Sequence, residues 1–196
     1  MGNEQEHFRQ VPESRDYGFN ITQPGSSNID DQTLHEFYVW PFADAVKAGV
    51  ASVMCSYNLV NNSQACQNSY LLNQVLKSEL GFQGYVMSDW QATASGVSAI
   101  LAGLDMTMAG DMRFGDGLSY FGPNLTIAVL NGTVPQWRLD DMAVRILAGW
   151  YLVDGNTQVP STNFQSWTPD TFGAVHAHGG LAWSINMSMF AGSTGD

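Results

Sequence analysis

The sequence predicts an α/β fold of βα repeats with parallel strands and flanking helices, a partial (β/α)8 barrel of the TIM type. Three short apolar runs, near residues 50–57, 84–89 and 104–108, have the length and composition of buried strands. Helical patterns separate these runs, and this order predicts parallel pairing through right-handed crossovers. Because a closed barrel takes about 250 residues, three such units predict a piece of a barrel.

One helical region is predicted before the first strand. Residues 1–33 contain few periodic patterns and many turn-forming residues. Asp30 or Asp31 can cap a helix that continues to Gly49. Pro41 lies inside this pattern, so we expect a kink or two short helices.

Two further helices are predicted between the strands. A polar loop is predicted over residues 58–68, and a helix over residues 69–80 that Gly81 ends. After the second strand, a helix predicted over residues 93–102 leads into the third strand. The order is therefore strand, helix, strand, helix, strand.

The last third of the chain predicts helices over residues 127–130 and 138–151. Asp140 and Asp141 fall in the first turn of the second helix, where acidic side chains favour the helix dipole. Gly, Asn, Thr, Pro and Ser then become frequent, which is typical of a linker. We therefore expect a barrel-type domain over residues 1–153, a linker over 154–173 and an aberrant or disordered tail over 174–196.

Composition excludes several classes of function. An apolar fraction of 44% and a charged fraction of 13% are those of a globular protein. The net charge of −11 argues against nucleic-acid partners and anionic membrane surfaces. No apolar stretch reaches the length of a membrane span, and the polar N-terminus does not have the pattern of a signal peptide.

Cysteines and glycosylation acceptors favour a secretory history. Asn-x-Ser/Thr acceptors occur at Asn20, Asn61, Asn124 and Asn131, with another at Asn186. The chain has two cysteines, Cys55 and Cys66, which pattern alone leaves as either free thiols or a disulfide. We expect an extracellular protein.

The chemistry is concentrated where the second strand ends, at Ser88-Asp89-Trp90. The carboxyl ends of parallel strands are where ligands and catalytic groups gather. A carboxylate beside an indole, whose face can pack on a pyranose ring, favours sugar chemistry at this end. The alternatives are that Asp89 caps the following helix and that Trp90 belongs to the core.

The segments GYVMSDW and AGLDMTMAGD resemble the nucleophile region of glycoside hydrolase family 3, particularly its fungal β-glucosidases. That branch has the forms GFVMSDW and AGLDMSMPGD, and the resemblance extends over residues 2–173. It implies that the three βα units form the C-terminal half of the family's barrel domain.

The resemblance also implies roles for individual residues. Asp89 matches the catalytic nucleophile, and Trp90, Tyr57 and Met54 match positions that line the glucose subsite. A disulfide between Cys55 and Cys66 is implied as well. Asp105, by contrast, is expected to be structural, and Asp111 to be a loop residue.

The implied reaction is retaining hydrolysis of terminal β-D-glucosyl residues, as in cellobiose, through a covalent glycosyl–Asp89 intermediate. In the family the acid/base glutamate comes from a separate downstream domain that this chain does not include. We therefore expect the isolated chain to be inactive, because general acid–base catalysis contributes roughly 10²–10⁴-fold. The alternative is a non-catalytic partial barrel with at most weak sugar or partner binding. An aldolase-like lyase is disfavoured, because Lys47 and Lys77 lie in predicted helices rather than at strand ends.

Two features of the tail call for hypotheses of their own. With suitable codons, another reading frame over residues 185–196 encodes a peptide like QYVDVRGQHG, which resembles the family's next segment. A frameshift or a miscalled splice site would account for the tail.

His176 and His178 form a His-x-His pair without a further ligand at zinc spacing, so we expect no metal and no other cofactor.

Overall fold

Two parallel strands lie at the centre of the fold. The computed structural model describes residues 25–110, 112, 118–153, 172–174 and 184–186. Strand β2 (Ser52–Cys55) pairs in parallel with β5 (Tyr85–Ser88), with Ser52 opposite Tyr85 and Cys55 opposite Ser88. A parallel bridge between Met87 and Met106 adds the start of a third strand. The predicted parallel pairing of the first two strands is confirmed, within a mixed α/β fold.

The predicted N-terminal helix is divided into three segments, and Pro41 explains one boundary. These are α1 (Asp31–Thr33), a wider π-helix α2 (Leu34–Tyr38) and α3 (Trp40–Lys47), which has Pro41 in its first turn. Asp30 caps the first segment through a 2.9 Å hydrogen bond from the Thr33 N–H to its carboxylate. Because proline lacks a backbone N–H, it fits only at a helix start, so the chain begins a new helix there.

The segment predicted as a polar loop contains regular structure, which corrects that prediction. Strands β3 (Leu59–Val60) and β4 (Ser63–Gln64) form an antiparallel hairpin, followed by a 3₁₀ turn, α4 (Ala65–Gln67). Asn61 and Asn62 make its turn with φ of 49° and 65°, a conformation that asparagine tolerates. Strand β1 (Ser26–Ser27), in a segment predicted to be turn-rich, pairs in parallel with β3.

Helix α5 (Tyr70–Glu79) is a π-helix that confirms the predicted helix, and Gly81 follows it with a φ of 66°. The next helix, α6 (Val97–Leu101), is shorter than the predicted 93–102. The preceding residues instead form a loop over the strand end, in which Gln91 has a φ of 62°.

The third predicted strand, 104–108, is also shorter than expected. The Val86 carbonyl accepts hydrogen bonds from both Asp105 and Met106, at 2.9 and 3.0 Å. Two consecutive donors on one acceptor interrupt the regular ladder. The segment therefore contributes a bridge at Met106 rather than a full strand.

Helices α7 (Gly122–Leu130) and α8 (Gln136–Leu152) complete the helical part. Both begin earlier than predicted, so Asp140 and Asp141 lie in the second turn of α8 and not in its first. Two short strands, β6 (Phe172–Ala174) and β7 (Ser184–Asn186), pair antiparallel in the segments predicted as linker and tail. The predicted domain boundaries stay predictions, because residues 1–24 and most of 154–196 lie outside the described residues.

The core lies between the central strands and the helices. Val86 and Leu104 are fully buried, and Phe82 and Ile100 are 1% exposed. These side chains join one hydrophobic cluster that also includes Met142 of α8. Burial on this scale holds β5 in place, and with it Asp89 and Trp90, which follow its last residue. In the part of the chain that the structure describes, no helix has the length and apolar character to cross a membrane.

Candidate active site

Asp89 is the first residue after β5, and its backbone continues the parallel ladder. Its N–H donates a 3.0 Å hydrogen bond to the carbonyl of Cys55. Its carboxylate accepts a 2.6 Å hydrogen bond from the N–H of Trp90. Helix α6 begins at Val97 with Gly96 at its N-cap, so Asp89 does not cap that helix. The half-buried carboxylate is therefore held at the strand end without a capping role.

The loop after Asp89 is held against the segment that follows α6. The Gln91 N–H donates to the Met108 carbonyl at 2.9 Å, and the Ala92 N–H donates to the Asp89 carbonyl at 2.9 Å. The hydroxyls of Thr93 and Thr107 are 2.8 Å apart. These contacts give the loop a defined path, so the direction of the Asp89 side chain is set by main-chain structure.

A second contact connects this loop to the disulfide-closed segment. Ser95 donates its hydroxyl proton to Oε1 of Gln67, at 2.7 Å. Cys55 and Cys66 are joined in a disulfide with their Cα atoms 5.2 Å apart. The carbonyl of Cys55 also accepts the hydrogen bond from the Asp89 N–H. The residue that positions Asp89 is therefore itself one half of the disulfide.

Ser88 is a site residue that sequence reasoning missed. Ser88 is fully buried. Its hydroxyl accepts a 2.9 Å hydrogen bond from the Met108 N–H and donates a 3.3 Å hydrogen bond to the Met108 carbonyl. This pair of contacts fastens the end of β5 to the next segment, immediately before Asp89. A serine in an otherwise apolar strand was the signal that could have identified it.

The predicted sugar-binding residues lie on the same two strand ends but in different surroundings. Trp90 is half-buried beside Asp89. Met54 pairs with Met87 in the strand register and is 48% exposed. Tyr57 is 8% exposed and packs in the core cluster. The roles of these three residues in substrate binding stay predictions.

Asp105 lies in the core and has three hydrogen-bond donors around its carboxylate. Lys77 and Arg138 approach it at 2.9 and 2.7 Å, and the N–H of Val86 donates to it at 2.8 Å. Its side chain is fully buried. Burial lowers the pKa of Lys77 to about 8, although the neighbouring Asp105 carboxylate opposes that shift. A carboxylate neutralised by two cations has a structural role, as expected; Asp111 lies outside the described residues.

The ion pairs continue along α8, which sequence reasoning did not predict. Arg138 also binds Asp141 at 2.8 Å, and Asp141 accepts from Arg145 at 2.9 Å. Arg145 donates to the carbonyls of Phe82 and Gly84, at 2.9 and 3.2 Å, directly before β5. This network therefore attaches α8 to the strand that carries Asp89.

Three of the predicted glycosylation acceptors are exposed: Asn61, Asn124 and Asn131. Asn61 also exchanges two hydrogen bonds with the backbone of Ile29, at 2.8 and 3.0 Å. Asn20 lies outside the described residues, so nothing is stated of its surroundings. Glycosylation at all four positions stays a prediction.

Within the described ranges, no group of three or more His, Cys, Asp or Glu side chains is placed so that it could hold a metal ion. His176 and His178, the pair considered from the sequence, lie outside those ranges. The chemistry available at the strand end is that of a carboxylate, an indole and the surrounding backbone.

Known proteins share both the sequence and the fold of this chain. The family described as Glycosyl hydrolase family 3 N terminal domain matches residues 20–148. Probable beta-glucosidase A of Emericella nidulans is 64% identical over 186 residues, which is 94% of this chain and 22% of the relative. The chain thus spans about a fifth of the length of the curated relatives it matches.

Solved structures agree with the sequence comparison. A Glycoside Hydrolase Family 3 beta-glucosidase from Neurospora crassa has a TM-score of 0.76 and 58% identity, covering 95% of this chain and 23% of that protein. DesR, a beta-glucosidase from Streptomyces venezuelae solved in complex with D-glucose, has a TM-score of 0.60 and 41% identity, covering 70% of this chain and 18% of that protein. Since the family match over residues 20–148 takes in well over half of the 196 residues, the chain belongs to glycosyl hydrolase family 3, within its N-terminal domain.

Proposed function

We propose that this chain supplies the nucleophile region of a β-glucosidase that hydrolyses terminal β-D-glucosyl residues, such as those of cellobiose, with retention of configuration. The observation that carries the proposal is the placement of Asp89 at the carboxyl end of β5, held there by the Cys55 carbonyl. The names of the relatives and the D-glucose bound by DesR support a glucoside as the substrate.

In the proposed reaction, Asp89 attacks the anomeric carbon of the sugar. The bond from that carbon to the aglycone oxygen breaks, the oxygen takes a proton from a general acid, and a glycosyl ester forms on Asp89. Water then attacks the same carbon, gives a proton to the group that acted as the acid, and releases glucose and the free Asp89 carboxylate. The hydrogen bond from the Trp90 N–H fixes the orientation of the carboxylate, and we assign the attack to its second oxygen.

The general acid is a separate part of this proposal. A retaining glycosidase needs a second carboxyl group about 5–5.5 Å from the first. Asp105, on the adjacent segment, is buried and bound to Lys77 and Arg138, so it is not suited to protonate a leaving group. We therefore propose that a carboxyl group outside this chain donates the proton, and that the isolated 196-residue chain has no useful activity.

We also propose that β2, β5 and the segment at Met106 are consecutive strands in the C-terminal half of a (β/α)8 barrel. Their spatial order follows their order in the sequence, and their parallel direction supports this assignment. The exposed glycosylation acceptors and the disulfide support a secreted glycoprotein.

The proposed nucleophile can be tested by transplanting the chain. The matched segment of the Neurospora crassa β-glucosidase is replaced with residues of this chain and then treated with an activated 2-deoxy-2-fluoro-β-glucoside. We expect the label on the peptide that contains Asp89. Asp89→Asn should abolish both labelling and hydrolysis of an aryl β-glucoside, whereas Asp44→Asn, at an exposed position of α3, should retain both. A label on another residue would refute the assignment.

The isolated chain gives the companion experiment. We expect it to release no aryl alcohol from an aryl β-glucoside above the rate of its Asp89→Asn variant. Turnover that disappears in Asp89→Asn would contradict the proposed inactivity and would place the general acid within these 196 residues. A non-catalytic role limited to weak sugar binding would instead give a chimera that folds without turnover.

A further inference from the structure

An apolar cavity of about 100 Å³, open to solvent, lies between the N-terminal helices and α5. Leu34, Tyr38 and Phe42 line one wall, and Leu72 and Val75 line the other. The packing between the two walls is therefore incomplete, and polar contacts also join these helices: His35 to Glu79, and Tyr70 to Asp31.

His35 on α2 makes the first of these contacts. Its Nδ1 lies 2.8 Å from the backbone carbonyl of Asp31, and its Nε2 lies 3.0 Å from the Glu79 carboxylate on α5. The first partner belongs to α1 and the second to α5. One imidazole thus joins the helical region at residues 31–38 to the end of α5.

The two partners determine the protonation state in which this contact is complete. A backbone carbonyl and an ionised carboxylate are acceptors only. Neutral imidazole has one N–H and one lone pair, so one of its nitrogens would face an acceptor without a proton between them. Imidazolium has two N–H groups and satisfies both partners.

The remaining groups around His35 are acidic or neutral. Asp31 has a carboxylate oxygen 3.4 Å from Nδ1, and that carboxylate accepts a short hydrogen bond from the Tyr70 hydroxyl. Glu79 accepts at its other oxygen from Gln74, at 3.1 Å. Lys77, on the same helix as Glu79, is bound to Asp105 in the core. No cation among these neighbours opposes a charged His35.

We propose that protonated His35 is a pH-sensitive clamp that holds residues 31–38 against α5 beside the apolar cavity. Loss of the proton removes the charge attraction between His35 and Glu79 and leaves one ring nitrogen facing an acceptor without a hydrogen. Residues 31–38 then loosen from α5, and the cavity becomes more accessible to solvent.

The direction of the pH dependence follows from both partners. The pKa of His35 is raised above its ordinary value of 6.5, mainly by the hydrogen bond to the Asp31 carbonyl and next by the hydrogen bond to Glu79. The pKa of Glu79 is lowered below its ordinary value of 4.5, mainly by the hydrogen bond from His35 and next by the hydrogen bond from Gln74. The histidine contribution is therefore complete below pH 6.5 and is lost as the pH rises through the higher folded-state value. The Glu79 contribution is present above pH 4.5 and is lost at lower pH.

Amide hydrogen exchange measured by NMR on the isotope-labelled full chain tests the clamp. Protection factors, corrected for intrinsic exchange rates, are compared at about pH 5.5 and about pH 8, on either side of an ordinary histidine titration. We expect amides in residues 34–38 to lose roughly threefold in protection at the higher pH, the order expected of an exposed charge pair. Amides of β5 should not change.

Glu79→Gln and Glu36→Gln form a matched pair of variants. Glu79→Gln removes the charged acceptor, so it should lower the His35 pKa, followed through its ring ¹³C shifts, and reduce the pH dependence of protection. Glu36 is on the same helix as His35 but binds Gln32 at 2.9 Å, so Glu36→Gln should keep both. Equal protection at the two pH values in the unmodified chain, or a pH dependence in Glu79→Gln as large as in the unmodified chain, would overturn the clamp. Neither result bears on the proposed role of Asp89.

Discussion

The backbone N–H of Asp89 donates a 3.0 Å hydrogen bond to the carbonyl of Cys55, which is itself joined to Cys66 by a disulfide. The proposed nucleophile is therefore bonded to one end of a covalently closed loop. Gln67, the next residue after Cys66, accepts a hydrogen bond from Ser95 in the segment after Asp89. Two contacts thus connect the closed loop and the residue that follows it to Asp89 itself and to the segment after Asp89.

Removing the disulfide should lower stability and loosen this connection. A cross-link over 11 residues lowers the entropy of the unfolded chain and is worth about 3 kcal/mol by the loop-entropy relation. We expect the variant Cys55→Ser/Cys66→Ser to unfold at lower urea concentration by about this free energy, as measured by circular dichroism.

Two controls accompany the disulfide variant. The unmodified chain in the presence of a reductant should shift by a similar amount, which would assign the effect to the bond rather than to the new serines. Ser63→Thr, inside the same loop but not part of the bond, keeps the Asn61 acceptor and should unfold close to the unmodified chain. An unchanged midpoint for the double variant would show that the hairpin holds its own geometry without the cross-link.

The sequence was sufficient for features that are specified locally. Short apolar runs bounded by glycine predict strands, and the run before Ser88-Asp89 became β5 at nearly its predicted limits. Asp30 and Pro41 mark helix starts through chemistry within a few residues, and both did so here. The position of Asp89 at a strand end follows from the same local signals.

Features that depend on distant partners could not be predicted in the same way. The ion pairs of Asp105 with Lys77 and Arg138 join residues 28 and 33 positions apart. The short third strand depends on how the Val86 carbonyl is shared between two donors. A loop replaced the first turn of the predicted helix, and in it Thr93 hydrogen-bonds to Thr107 and Ser95 hydrogen-bonds to Gln67. None of these leaves a periodic pattern in the sequence.

Replacing Asp105 should be strongly destabilising. Asp105→Asn would leave Lys77 and Arg138 buried without their carboxylate, at 7% and 3% side-chain exposure. Breaking a buried ion pair by removing one partner costs about 3–5 kcal/mol. Denaturant unfolding followed by circular dichroism would measure this loss. Asp44→Asn, the same change at an exposed site, should stay within about 0.5 kcal/mol of the unmodified chain. Equal midpoints for the two variants would mean that Asp105 is dispensable to the core.

Lys77 gives the structure a second pH dependence, on the alkaline side. Burial lowers its folded-state pKa to about 8, whereas the unfolded chain keeps the ordinary value of 10.5. Between these values the unfolded state binds more protons, so the contribution of Lys77 to stability rises with pH across this interval. We expect the difference in unfolding free energy between the unmodified chain and Lys77→Met to grow from pH 8 to pH 10. A constant or shrinking difference would show that Lys77 keeps its charge in the folded state throughout.

Gly84 is required by the close approach of two backbones directly before β5. A Cβ at this position would lie 2.1 Å from the carbonyl oxygen of Ala51 and 2.8 Å from the ring of Phe82. Ala51 accepts the N–H of Tyr85 at the start of the parallel pairing, so its carbonyl cannot move without disturbing that ladder. Overpacking typically costs about 1–3 kcal/mol, and a backbone obstacle places Gly84→Ala at or above the upper limit. Gly49→Ala is the matched control, because its Cβ would meet nothing within 4 Å and only its φ of 83° is unfavourable. That control should cost about 1–2 kcal/mol.

Urea unfolding of the Gly84→Ala and Gly49→Ala variants, measured side by side, distinguishes the two effects. If Gly84→Ala were no less stable than Gly49→Ala, the segments at Ala51 and Gly84 would have room to separate. The strand pairing that positions Asp89 would then be less constrained than these distances indicate.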